Sequence, residues 1–481
     1  MTGDDSKSGR SLSRDVGPFA AIATVVAGTL GAGLFVTIGT ASSTTGPSVI
    51  LLIALSGLVA MAIAINYSWL ATIFPAAGST YSYVSRAFRN RLGGFVATWS
   101  LWLGYMAAVA VLAIGFGNYL QVFYAGVDPR VAGAGLIAVL FLVNMLGIRR
   151  YSVSQNAIFV LLLVSILVLV VPGSFTVEPA NYTPFFTGGF DGALAATVPL
   201  FYAYIGIAVA GEIGAEVKNP SRNLPLAMVG GTLILIALYM WTAAVIYGVV
   251  GDYTVLANSE RPLSTAAETF LPLNATAVVG FGGLLATASS VHAVMAAGIK
   301  LPYCWGWDEV FPARFSAVND RWRTPHWSLL TLFVVSTGLT FWTSGLDQVI
   351  AISTFSYLVA YGATSLTAMY VYLRKPTLRS KAAFDPGALL FVPGLIGLGG
   401  CLVLLSQAYV ESLPVFVPWL AIGLGIFGLY WYLGRRADAD VGSILDTLPG
   451  VPTDEYDPNI RGGHGATDES TVPDSREPAD D

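Results

Sequence analysis

Titratable side chains are scarce inside the apolar stretches of this sequence: Glu212, His292 and Lys300 fall there, with Glu216 at the edge of one stretch. An ionisable group in such a setting is costly to keep, and it serves to carry a proton, to pair with an opposite charge or to mark a path for polar cargo. Glu212 has the type and place for proton exchange. Glu216 is set to pair with Lys218, Arg222 or another basic residue on its side, and His292 reads as a packing residue. Hydrolytic and metal chemistry have no footing. The histidines, His292, His326 and His464, are far apart, and neither His-Glu-x-x-His nor Gly-x-Ser-x-Gly occurs. Those spacings are what put two ligands on one helix face or a nucleophile on a sharp turn. Cys304 and Cys401 read as small apolar residues and form no disulfide framework. No resident cofactor is expected, and the enzyme class is set aside.

The other available chemistry belongs to the backbone. One apolar stretch reads Val26-Ala-Gly-Thr-Leu-Gly-Ala-Gly-Leu-Phe35, and a second reads Pro199-Leu-Phe-Tyr-Ala-Tyr-Ile-Gly-Ile207. Glycine costs about 1 kcal/mol inside a helix and permits other backbone conformations. The expectation is a helix break at Gly31–Gly33 and another at Ala203–Ile205. Unwound backbone within a membrane is tolerated where it lines a cavity or is buried in protein. Half-helix N-termini offer N–H groups to an anion such as a carboxylate, and freed carbonyls accept from an ammonium. A zwitterionic amino acid, or a related small amine, matches both. Taken singly, Gly28, Gly31 and Gly33 also fit tight packing of helices through small residues.

The elements that must position these groups are membrane helices. The chain is 55% hydrophobic and 11% charged, where soluble domains are about 25% charged. Apolar runs of roughly 20 residues, long enough to span a bilayer, recur at 16–40, 46–72, 92–124, 131–148, 152–171, 190–213, 224–250, 272–302, 326–345, 348–373, 387–408 and 412–433. Basic residues alternate sides with these runs. Lys7, Arg10 and Arg14 precede the first; Arg86, Arg89 and Arg91, then Arg149 and Arg150, then Lys218 and Arg222 follow every second run. Arg314, Arg321 and Arg323, then Arg374, Lys375, Arg379 and Lys381, then Arg435 and Arg436 continue the pattern, with only Arg130 and Arg261 opposed. Positive charge is kept on the cytoplasmic side during insertion. The expectation is a multi-pass protein of the cell membrane with about twelve transmembrane helices and both termini cytoplasmic.

The two breaks lie five spans apart, the spacing of a five-plus-five inverted repeat. This divides the chain into a cytoplasmic segment 1–15, a first repeat 16–171, a second repeat 190–373, two further helices at 387–433 and a tail 437–481. The tail carries twelve acids against Arg461 and Arg476, lacks apolar periodicity and reads as solvated and disordered. It is too polar for the folded output domain of a sensor. No ring of charge or filter loop suggests a channel, no basic face suggests nucleic acid, and nothing fixes an oligomeric state.

Four segments resemble the amino acid–polyamine–organocation (APC) superfamily, whose members share the leucine-transporter-like fold. Gly31-Ala-Gly-Leu-Phe35 is similar to its Gly-Ser-Gly-Ile/Val-Phe break. Phe74-Pro-Ala-Ala-Gly-Ser-Thr-Tyr-Ser-Tyr83 is similar to Phe-Pro-x-Ala-Gly-Gly-x-Tyr-x-Tyr. Ala286-Thr-Ala-Ser-Ser290, continuing to Tyr303 and Asp308, is similar to its eighth span. Glu216-Val-Lys-Asn-Pro-Ser-Arg-Asn-Leu-Pro225 matches Glu-Val-Lys-Asn-Pro-x-Arg-Asn-Ile-Pro at eight of nine defined positions. The similarity runs from about Val16 to Ala382. Trp69 stands where the family usually has an acid, and Trp307 where it usually has a basic residue before Asp308.

The resemblance implies a secondary active transporter of amino acids working by alternating access, with polyamine transport or amino acid exchange as variants. It places the substrate carboxylate on the backbone of Ala32 and Gly33, and the amine on carbonyls of Ala203, Tyr204 and Ile205. Ile207 replaces an aromatic gate, and Tyr105, Met295 and Phe355 line the side-chain pocket. Glu212 is the only acid near that pocket, so a neutral amino acid is the expected cargo. For coupling, the lysine of proton-coupled members is missing from 157–165, where Leu162 stands in its place. Sodium needs hard oxygen ligands, which Ser289 and Ser290 with the carbonyls of Ala27 and Leu30 would supply; a proton on Glu212 is the alternative.

Overall fold

The chain is described from a computed structural model covering residues 12, 14–146, 148–319, 321–322, 324–342, 345–436, 445 and 447–449. The expected disorder of the tail therefore lies outside the described residues, apart from Leu445 and 447–449. Of those four, Leu445, Leu448 and Pro449 are buried and Thr447 is partly so.

Apolar sequence with few helix breakers forms long helices here, and the turn residues between them set the boundaries. The first helix, α1 (Pro18–Gly33), starts on a proline in its first turn, where a missing N–H costs nothing. A short helix α2 (Thr37–Thr45) continues it after a break, followed by α3 (Val49–Ile73). Then come α4 (Ser79–Phe88), α5 (Arg91–Leu120), α6 (Pro129–Met145) and α7 (Ile148–Gly173). Asn90 caps α5 by accepting from the N–H groups of Leu92 and Gly93, and Asp128 caps α6 in the same way through Arg130 and Val131. The second broken stretch is α8 (Gly189–Tyr202), a 3-10 turn Ile205–Ala208 and α9 (Val209–Glu212). It is followed by α10 (Gly231–Val249), α11 (Leu273–Gly298), α12 (Lys300–Trp307), α13 (His326–Trp342), α14 (Leu346–Arg374) and α15 (Phe391–Arg436).

Among the described residues, eight helical stretches are long and apolar enough to cross a membrane, and Pro18–Gly31 and Pro129–Met145 are shorter apolar helices. Leu58, Leu142, Leu233, Val334, Leu402 and Ile422 are exposed, the belt of outward apolar side chains that a bilayer covers. Among the described residues there is no strand, only the isolated bridges Val16–Val217 and Ala77–Ile213.

Two expectations about element boundaries need correction. The first break is not at Gly31–Gly33, which remain helical, but at Leu34–Val36. The glycines serve close packing instead. A side chain at Gly28 would strike the Ala293 Cβ at 2.7 Å, and one at Gly31 would run into the Ala286 carbonyl and the Ser290 hydroxyl. The spans expected at 387–408 and 412–433 form one helical run of 46 residues containing Pro414 and Pro418. Its contacts double back. Phe391 meets Tyr372 near the end of α14, Gln407 and Glu411 share a cavity with Asp347 at the start of α14, and Phe427 meets Phe95 near the start of α5. Since Tyr370 stacks on Phe88, Tyr372 and Phe95 lie toward the same end of the bundle.

That end is called the basic end, because Arg86, Arg91 and Arg374 cluster there. It is held by two buried ion pairs. Arg86 grips Asp308 with both terminal nitrogens, at 2.6 and 2.7 Å, and Lys300 Nζ lies 2.8 Å from Glu216. The partner of Glu216 is thus the lysine of α12 and not Lys218 or Arg222. The chain before α1 closes the same end, with Val16 N–H bonded to the Glu216 carbonyl and Lys218 N–H to the Val16 carbonyl, both at 2.9 Å.

The packing role of the glycines is testable. Gly31→Ala is expected to destabilise by about 1–3 kcal/mol, the cost of overfilling a packed contact. Gly338→Ala, in α13 with open space around it, is expected to be neutral or stabilising by up to about 1 kcal/mol. Thermal unfolding of the two purified variants checks the pair; equal shifts would refute the assignment.

Candidate functional site

The last turns of α1, just before the first break, pack closely on the second break. A Cβ added at Gly33 would sit 2.6 Å from the Ala203 Cβ and 2.6 Å from the Tyr239 Oη. Gly206 lies against Thr29, with the Thr29 Cα 3.0 Å from where its Cβ would be. Breaking a helix frees carbonyls, and these are satisfied by hydroxyls from neighbouring helices. Tyr239 of α10 holds its Oη 3.0 Å from the Thr29 carbonyl and 2.9 Å from the Ala203 carbonyl, sharing one proton between the two broken stretches. Tyr361 of α14 donates to the Ile205 carbonyl. Thr37 donates back to Gly33 at 2.6 Å, and Tyr119 donates to Phe35 at 3.1 Å.

The expected substrate positions fall out unevenly. Ala203, Tyr204 and Ile205 do leave the helix, and Ile207 is buried in the turn that follows. Each of the three carbonyls already accepts one hydrogen bond, the Tyr204 carbonyl from Ile207 N–H at 3.2 Å. A second lone pair remains on each. The backbone of Ala32 and Gly33 is within α1, so half-helix N–H groups are presented at the start of α2, after Val36, instead. Tyr105 is buried with its ring edge-on to Tyr357 at 5.2 Å, and Met295 is buried in α11. Phe355 packs on Phe416 at 4.9 Å, which turns it toward α15.

The expected coupling residues separate into two clusters. In the first, Ser290 donates to the Ala27 carbonyl at 3.2 Å and accepts from Gly31 N–H at 3.1 Å. Ser289 accepts from the Gln155 amide of α7 at 2.9 Å. The Leu30 carbonyl accepts from Leu34 N–H at 3.3 Å and so belongs to the helix end. In the second, Glu212 is fully buried and its Oε1 accepts from the hydroxyls of Ser79 at 2.8 Å and Thr80 at 3.3 Å. Its Oε2 has no hydrogen-bonding partner among the described residues.

A cavity of about 310 Å³ lies one helical turn from the breaks, on the side away from the basic end. Thr40, Ser43 and Thr44 of α2, Pro199 of α8, and Asp347 and Ala351 of α14 line it together with Glu411. Thr40 donates to Asp347 at 3.1 Å across its wall.

Sequence reading missed Tyr239, Tyr361 and Gln155. Each is a polar-tipped residue in an otherwise apolar helix, and a buried tyrosine hydroxyl must find a partner; that is a detectable signal, although the partner's identity is not.

A helical bundle with an apolar exterior, two facing broken helices and buried polar backbone at their meeting point defines a multi-pass membrane transport protein rather than an enzyme. The chain belongs to the amino acid permease family, whose pattern matches residues 16–430, and hence to the APC superfamily. It is 25% identical over 444 residues to the branched-chain amino acid permease BcaP of Bacillus subtilis, covering 88% of this chain and 94% of that one. It is 27% identical over 445 residues to the methylthioribose transporter of the same organism, with the same coverage. It is 28% identical over 337 residues to the chloroplastic cationic amino acid transporter 9 of Arabidopsis thaliana, covering 65% and 59%.

Tyr239→Phe is expected to leave the Ala203 carbonyl without its hydroxyl donor, to strip the Thr29 carbonyl of its bond across to α10, and to lower stability by about 1–3 kcal/mol. Tyr247→Phe, which removes a hydroxyl bonded to Ser42 outside the breaks, serves as the comparison. Both variants are read by thermal unfolding and by amino acid uptake. Tyr239→Phe, unlike Tyr247→Phe, should also reduce uptake.

Proposed function

We propose that the chain is a secondary active transporter of neutral amino acids, working by alternating access with twelve transmembrane helices in a five-plus-five inverted repeat plus two. The observation that carries this reading is the junction at Tyr239, where one hydroxyl bonds both broken stretches. The doubled-back contacts of α15 support counting it as two crossings, which with the short α1–α2 stretch, α6 and α13 brings the total to twelve. The alternation of basic residues supports both termini being cytoplasmic in a cell membrane. The cavity beyond the breaks serves as the vestibule from the outer side. Serine, threonine and tyrosine hydroxyls and backbone carbonyls surround the breaks, which favours a neutral zwitterion over a cation. The name of the branched-chain permease points the same way, while that of the plant relative marks cationic amino acids as the second reading.

Coupling to a proton at Glu212 is favoured over coupling to sodium at the serine pair. Glu212 has a free carboxyl oxygen and no cation among its hydrogen-bonding partners. At the serine pair, the Gln155 amide points a donor at Ser289, where a cation requires acceptors.

Two measurements test this. Thermal shifts of the purified protein are expected to rise with leucine-like amino acids, by about 2.7 kcal/mol of added stability at a hundred times the dissociation constant. Lysine, arginine and polyamines should leave it unmoved. In proteoliposomes, uptake is expected to follow an imposed pH gradient and to persist when sodium is replaced by choline. Glu212→Gln should abolish the pH response while leaving exchange of pre-loaded substrate. Sodium-dependent uptake that survives Glu212→Gln would move the coupling site to Ser289 and Ser290.

A further inference from the structure

The tail returns to the basic end and binds the elements that close it. Arg86 spends its two terminal nitrogens on Asp308, and its Nη1 also donates to Ser85 at 2.8 Å. The hydrogens left on Nε and Nη2 both go to the Thr447 carbonyl, each at 3.2 Å. The Trp307 indole N–H donates to the Thr447 hydroxyl at 3.3 Å. Ala77 N–H donates to the Pro449 carbonyl at 3.0 Å. Between these contacts Leu448 is 1% exposed, and Leu445 is buried just before them.

The elements touched are the ones that meet at the closure. Ala77 bridges to Ile213, just past α9, and its carbonyl accepts the Cys304 thiol at 3.3 Å. Gly78, with φ +61°, bonds its N–H to the Glu212 carbonyl at 3.0 Å. Trp307 is joined directly to Asp308, the partner of Arg86. One tail segment therefore ties α4 and the residue Ala77 before it to the end of α12, and Ala77 in turn bridges to the chain after α9. An opening at the basic end has to part these elements, and while the segment is seated it completes the donor set of Arg86 and covers the seam.

We propose that Leu445 and the segment 447–449 are a latch that holds the basic end of the transporter shut and leaves its seat when that end opens. The charge of the tail fits this use, since the acids beyond residue 449 keep the detached segment solvated. The sequence around the latch, Ile444-Leu-Asp-Thr-Leu-Pro449, is the apolar exception in that tail. The proposal rests on the alternating-access reading above, but its test needs no substrate.

Cys304 lies against Ala77 and Gly78, the first of which the latch holds by its N–H, and Cys401 is equally buried elsewhere, in α15 beside Gly362. Opening at the basic end exposes the first thiol and not the second. The full chain in lipid nanodiscs is treated with N-ethylmaleimide, and alkylation of each cysteine is followed by peptide mass spectrometry. Leu448→Asp is expected to speed Cys304 labelling by about tenfold, since a buried leucine and its neighbouring hydrogen bonds are lost. Trp307→Phe, which removes the hydrogen bond to Thr447 and part of a buried ring, is expected to speed it a few-fold. Cys401 should be unchanged in at least one of the two variants that accelerate Cys304. Unaltered Cys304 labelling in Leu448→Asp, or equal acceleration of both thiols in both variants, overturns the latch. Leucine uptake measured in parallel tests the transport reading alone: a chain that carries no leucine still reports on its latch through Cys304.

Discussion

A peptide carbonyl that loses its helical partner in hydrocarbon costs several kcal/mol unless something else bonds it. The whole centre of this bundle is arranged around that constraint. Two helices stop and restart at Leu34–Val36 and Ala203–Ile205, and the carbonyls of Gly33, Phe35, Ala203 and Ile205 each meet a hydroxyl. Tyr239 serves both breaks, Tyr361 serves the second, and Tyr119 and Thr37 serve the first. The helices that carry these hydroxyls are placed by them. Gly33 and Gly206 then matter because they let the broken stretches approach closely enough for one tyrosine to reach both.

The basic end is closed by a different kind of contact. Arg86–Asp308 and Lys300–Glu216 are buried pairs, and burying two charges costs nearly what their attraction returns. Such a seal is stable when dry and cheap to break once water enters, because the separated charges regain hydration. A seam of packed leucines would lose its full burial energy on the same opening. Ionic closure at one end and hydroxyl-bonded backbone at the centre therefore suit the alternating access proposed above, in which one end opens to water without unfolding.

Much of this was legible in the sequence, for reasons that can be traced. The apolar runs and the alternation of basic residues are properties of composition along the chain, so α3, α5, α7, α11 and α14 fall within a few residues of expectation. The break at Ala203–Ile205 was legible because Pro199 and Gly206 both disfavour a continuous helix. The first break was misplaced because glycine marks two things at once. In α1 the glycines face Ala286, Ala293 and Ala203, and nothing in a single sequence tells such a facing residue from an unwound one. The coupling candidates were chosen by residue type, and that choice left out Gln155, since its contact with Ser289 depends on α7 and α11 lying side by side. Docking of Leu445 and residues 447–449 was hidden by the surrounding acids, which dominate any average over the tail.

The satisfied state of the central carbonyls also bears on how tightly a substrate can be held. On the proposed reading, an ammonium arriving at Ala203 or Ile205 would find carbonyls that already accept from Tyr239 and Tyr361. It gains their second lone pairs, or it displaces a hydroxyl that must then rebond elsewhere. Either way the net gain per contact is about 0.5–1.5 kcal/mol for an exchanged hydrogen bond, short of the several kcal/mol that filling an orphaned group would return. A carrier benefits from that economy. Orphaned carbonyls would hold the ammonium too firmly for release at the opposite face, and they would destabilise the empty protein on its return. Tyrosines that cover the breaks in the absence of cargo keep the loaded and unloaded states close in free energy, which is the condition for moving in both.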